Sequence, residues 1–175
     1  DPGWATELFA AIPELDAASL VPLAARVLAA GGDPLLGGLL HPKAKKAADK
    51  VRASAIAVLR EHGGSEHVAP LLAVGGRGTD AAVLDALAHR TCRKLKSLAA
   101  YAEWYDHHRD APELEWISEG LAPVVVGKGG SWPRGFRSRD TVGRLIAKLD
   151  AAPWIRACAW RGLVDRSALP EIVHP

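Results

Sequence analysis

The side chains able to do chemistry gather in a few stretches of this chain. The first runs Gly127-Lys128-Gly129-Gly130-Ser131-Trp132-Pro133-Arg134-Gly135-Phe136-Arg137-Ser138-Arg139. It mixes glycines, two aromatic rings and four cations, Lys128, Arg134, Arg137 and Arg139. Backbone amides of a glycine-rich loop can cradle a phosphate, and Trp132 or Phe136 can stack on a base. The stretch is not a P-loop, because no Gly-x4-Gly-Lys-Ser/Thr pattern follows a strand. The plainer reading is a connection between helices whose rings tuck against a neighbour. Trp132 fits either role.

Charge repeats this theme. Residues 41–60 carry His41, Lys43, Lys45, Lys46, Lys50, Arg52 and Arg60 against Asp49. Residues 90–96 carry Arg90, Arg93, Lys94 and Lys96 with no acid. Residues 128–148 add Arg144 and Lys148 to the cations above, against Asp140. Acidic segments adjoin them, over residues 1–40 and 100–120. If the basic segments shared a face, they would form a stripe fit for a polyanion. The plainer reading is that solvated helix exteriors carry them beside acidic neighbours.

Glu103-Trp104-Tyr105-Asp106-His107-His108-Arg109-Asp110 is the densest set of potential metal ligands. On a helix Glu103 pairs with His107 and Asp106 with Asp110, in different directions, whereas a metal needs three or four converging ligands. No metal or cofactor is expected. His62 and His67 flank a helix end, which accounts for them. No catalytic motif occurs, so the reading leans away from an enzyme. Cys92 and Cys158 have no metal or disulfide-framework spacing. They are expected to be buried free thiols, matching a reducing, cytoplasmic setting.

Helices must position all of this. A phrase recurs as Leu20-Val21-Pro22-Leu23, Val68-Ala69-Pro70-Leu71, Leu121-Ala122-Pro123-Val124 and Ala168-Leu169-Pro170-Glu171. Its spacing of roughly 50 residues marks stacked helical repeats, in which no unit buries its apolar face alone. Apolar positions at helical spacing predict helices from Asp16 to Ala30 and from Pro42 to Glu61, stopped by Gly31-Gly32 and Gly63-Gly64. A short helix follows through Pro70 and Leu72. A block from Thr79 or Asp80 to Asp110 breaks near Thr91, and Glu113–Gly120 is another short helix. Two more start at Asp140 or Thr141 and at Pro153. Only Val124-Val125-Val126 looks strand-like.

Asp49-Lys50-Val51-Arg52-Ala53-Ser54-Ala55-Ile56-Ala57-Val58-Leu59 resembles the first helix of a HEAT repeat, and Val68-Ala69-Pro70-Leu71-Leu72 resembles the start of the second. Asp150, Trp154-Ile155-Arg156-Ala157-Cys158-Ala159-Trp160 and Leu163 repeat the pattern. The resemblance covers about half of the chain, and residues 79–130 depart from it. It implies an all-α, right-handed α-solenoid of HEAT-like repeats. It also implies hydrogen bonds of Arg52 and Arg156 between adjacent repeats. Val51, Ala55, Leu59, Ile155, Ala159 and Leu163 are expected to be buried.

The whole chain bounds these readings. It has 175 residues, 49% of them hydrophobic, and a net charge of +2, so no global field points to a nucleic acid or a membrane. No apolar run reaches the ~20 residues of a membrane helix. The opening Asp1-Pro2-Gly3-Trp4 suggests one domain, residues 1–175, cut from a longer protein with further domains. Six tryptophans are many for this length, and each is expected in the core, with Trp132 the even case. Two functions emerge. The leading one is a non-catalytic scaffold that binds a protein partner. The alternative is a nucleic-acid-binding domain using residues 43–52, 90–96 and 128–148. For either, the candidate contacts are Lys43, Lys46, Arg93, Lys94, Lys128, Trp132, Arg134, Arg137 and Arg139.

Overall fold

A computed structural model describes residues 17–29, 42–75, 80–132, 135–136 and 138–167. The regular structure among these residues is helical, with no strand among them. The α-helices are α1 (Ala17–Ala29), α2 (Pro42–His62), α3 (Val68–Val74), α4 (Asp80–Thr91), α5 (Leu98–His108), α6 (Glu113–Val125), α7 (Arg139–Ile146) and α8 (Pro153–Ser167). A 3₁₀ turn, Ser65–His67, leads into α3.

Local chemistry explains most boundaries. Helix α2 ends where the Gly63 N–H bonds the Leu59 carbonyl at 3.0 Å. A Cβ on Gly63 would stand 2.6 Å from that oxygen, so glycine is needed there. The His67 Nδ1 accepts from the Gly64 N–H at 3.0 Å and fixes the next turn. Ser97 caps α5 by accepting the Ala100 N–H at 3.2 Å. Helix α6 runs through Val124 and Val125, which look strand-like in isolation. Packing of Leu121 and Val125 against a shared cluster overrides that local preference.

The core has two centres. One joins Ala24 and Leu28 of α1, Ala55, Ile56 and Leu59 of α2, Leu71 of α3, Val83 and Leu87 of α4, and Tyr101 and Trp104 of α5. The other joins Cys92, Ile117 and Leu121 of α6, Phe136, Leu145 of α7, and Cys158 and Ala159 of α8. Helix α4 packs against α2, α3, α5, α6 and α8 and so links the two. Its apolar Val83, Ala86 and Leu87 are fully buried, and so is much of its polar C-terminal turn.

Several expectations change here. Cys92 and Cys158 are not free thiols; they form a disulfide, with Cα atoms 5.6 Å apart. Their separation of 66 residues hides this in the sequence. The expected reducing compartment rested on free thiols and loses that ground. Val51, Ala55, Leu59 and Ala159 are buried as expected, whereas Ile155 and Leu163 are half-buried. Arg52 bonds Asp49 at 3.1 Å within its own helix, and Arg156 is exposed. The proline phrases are not equivalent either: Pro70 stands in the first turn of α3, Pro123 in the last turn of α6. Pro170 lies outside the described residues. A HEAT array builds contacts between neighbouring repeats, whereas α4 meets α8 with three helices between them in the chain.

Candidate functional site

Where α2, α4 and α8 meet, a cleft of about 730 Å³ is lined by Arg60, His89, Arg90, Arg156, Trp160 and Arg161, with Glu61. Each cation reaches it for a local reason. Arg60 ends α2 and is held by Glu61 at 2.6 Å and Asp85 at 3.0 Å. Arg90 lies in the last turn of α4 and is 4% exposed. Its Nη1 donates to the Gly63 carbonyl, made available by the glycine stop of α2. Desolvation by burial pulls its guanidinium below the ordinary arginine range, while Glu61 and Glu66 oppose that shift from a distance.

Arg161 staples α8 to the end of α4. Its Nη1 donates to the carbonyls of His89, at 2.7 Å, and Arg90, at 3.1 Å, and its Nη2 pairs with Glu113 at the start of α6. The C-terminal carbonyls of a helix carry partial negative charge, so a guanidinium suits them. Arg156 and Trp160 stand one turn apart on the outer face of α8, and Trp160 is 60% exposed. Trp160 therefore overturns its expected place in the core. Trp104 and Trp116 do pack there, edge to face at 5.1 Å.

The sequence-derived candidates divide into three groups. Lys94 and Lys128 are exposed. Arg93 is partly buried, pairs with Glu119 at 2.6 Å and lies over the Trp104 ring at 5.4 Å. Trp132 is half-buried; its indole N–H donates to the Ser118 carbonyl at 3.0 Å and its ring meets Phe136 edge to face. The third group is Lys43 and Lys46 on α2, and Arg134, Arg137 and Arg139 around the start of α7. Their side chains lie outside the described residues. In the 103–110 set, the His107 Nδ1 lies 2.7 Å from the Glu103 carbonyl and His108 stacks on Trp104. Among the described residues no three His, Cys, Asp or Glu side chains converge on a metal position.

Sequence reasoning missed the convergence of Arg90, Arg156, Trp160 and Arg161. The Arg156–Trp160 spacing showed a shared face. Nothing in the chain showed that the end of α4 would lie opposite.

Fold and surface together define an all-helical protein with cations exposed on several elements and an arginine-lined cleft. A model described as a helix-turn-helix family matches residues 3–165, and the chain belongs to that family. No curated protein and no solved structure matches it. This membership overturns the HEAT-repeat resemblance. It also overturns the leading reading of a protein-binding scaffold. The Ala-rich helical periodicity behind that resemblance belongs to any closely packed helical domain. No described helix is long and apolar enough to cross a membrane.

Proposed function

We propose that this protein binds nucleic acid. The observation that carries the reading is its membership of a helix-turn-helix family across residues 3–165. A helix-turn-helix places one helix against a duplex while neighbouring elements hold the backbone. Phosphate contacts then come from cations at helix starts and in connections. The segment 128–148 suits that task best. Its Lys128 and Arg144 are exposed, and in the chain Arg134 and Arg137 precede α7 and Arg139 is its first residue. Lys94, in the link between α4 and α5, and Lys43 and Lys46, at the start of α2, extend the proposed contact set. The α5–α6 pair is a poor candidate to face phosphates, because Glu103, Asp106, Asp110, Glu115 and Glu119 are exposed on it.

The test is duplex DNA binding followed by fluorescence anisotropy as salt is raised. Affinity should fall steeply with salt. Replacing Arg134, Arg137 and Arg139 together by alanine should flatten the slope by up to about 3 units, one per lost phosphate contact. Glu115→Gln should leave it unchanged. Absence of DNA and RNA binding at low salt would end the reading.

A further inference from the structure

The cleft between α2, α4 and α8 holds two guanidiniums that no ion pair among the described residues matches. Arg90 is buried, its Nε has no hydrogen-bond partner, and it makes no ion pair among the described residues. Its one hydrogen bond among the described residues is to a neutral carbonyl, that of Gly63. Arg156 lines the same cleft, is exposed, and likewise makes no ion pair among the described residues. The other two arginines are already matched, Arg60 by Glu61 and Asp85, Arg161 by Glu113. Arg90 and Arg156 therefore line the cleft without an ion-pair partner, Arg90 meeting only the more distant charges of Glu61 and Glu66.

Burying a guanidinium without a counter-charge is costly, and a protein selected for stability alone would place an apolar side chain there. The cost is recovered when an anion enters. The rest of the lining indicates what accompanies the charge. Trp160 offers an exposed indole beside Leu149 and Pro153, a surface suited to a flat ring. The volume of about 730 Å³ lies in the range of small-molecule sites. We propose that this cleft binds a small organic anion, a flat ring bearing a carboxylate or phosphate. The headgroup meets Arg156 and the field of Arg90, and the ring lies on Trp160. This site goes beyond the nucleic-acid reading and does not depend on it.

Isothermal titration calorimetry tests the site with two ring anions, naphthalene-2-carboxylate and adenosine monophosphate. The controls are 2-naphthamide, which has the ring without the charge, and inorganic phosphate, which has the charge without the ring. At least one ring anion should bind saturably at one per chain and quench tryptophan emission. The controls should bind about tenfold more weakly or worse. Arg156→Ala and Trp160→Ala change exposed side chains, so both should keep the parent's circular dichroism and melting temperature. Each should weaken binding about tenfold, and Arg156→Lys should restore part of the loss. Binding of the carboxylate alone or of the phosphate alone identifies the headgroup and supports the site. If neither ring anion binds, or if both alanine variants bind as the parent does, the proposal fails.

Discussion

At the scale of single residues, closeness of approach decides what each position tolerates. Gly120 sits in the middle of α6 and is fully enclosed. A Cβ placed there would run into the carbonyl group and Cβ of Cys92. Alanine is the better helix former by about 1 kcal/mol. Overpacking against backbone that cannot yield costs about 1–3 kcal/mol, so the clash should win. Gly120→Ala is expected to lower the melting temperature, and an unchanged or raised one would show that α6 can slide away from the α4 terminus. The sequence displays a glycine at position 120 but not the disulfide-bonded cysteine across from it. Arg90 is a similar case. Its basic neighbours, Arg93, Lys94 and Lys96, invite a surface reading, and only the fold shows that the first of these four cations is buried.

At the scale of elements, the helices themselves were largely legible. The start and stop of α2, the break after Thr91 and the starts of α7 and α8 follow from apolar spacing, paired glycines and capping residues. What linkers do was less legible, because it depends on what they touch. The α4–α5 link is pinned by Tyr101, whose hydroxyl donates to the Arg93 carbonyl at 2.5 Å and accepts the Leu95 N–H at 3.1 Å. Desolvation raises the Tyr101 pKa, and the charge of Asp85 adds to the rise, against the Leu95 and Thr91 hydrogen bonds. The folded state therefore favours the neutral phenol. That contribution to stability is fully present below the unfolded pKa of about 10 and is lost as pH rises through the higher folded value. Melting temperatures should decline as pH rises past about 10. Tyr101→Phe should lower stability at neutral pH, by stranding the two backbone partners, and flatten that alkaline decline. An identical decline in the variant would assign it to other groups.

At the scale of the whole molecule, the question is what joins two apolar centres into one body. One centre gathers α1 to α5 with Trp116 of α6, the other the rest of α6 with α7 and α8, and α4 packs against elements of both. Side-chain bonds reinforce the junction: Arg161 reaches from α8 to the α4 carbonyls and to Glu113, and Arg93 reaches from the α4–α5 link to Glu119 on α6. The covalent tie is Cys92–Cys158, between the end of α4 and the middle of α8. None of this is visible in local sequence periodicity, which reports faces and not partners. The repeat of proline phrases suggested neighbour-to-neighbour stacking because it carried no information about the long-range closure. Closing a loop of 66 residues restricts the unfolded chain by about 4 kcal/mol in the chain-entropy account. Both sulfurs are fully buried, so a thiol reductant should act slowly on the folded protein and quickly after partial unfolding. Cys92→Ala with Cys158→Ala is expected to lower stability by about that amount in urea titrations. The same variant should decouple the two centres, so that tryptophan fluorescence and far-UV circular dichroism give separate transitions. A single transition at the parent's midpoint would show that α4 packing and the arginine bonds alone unite the molecule.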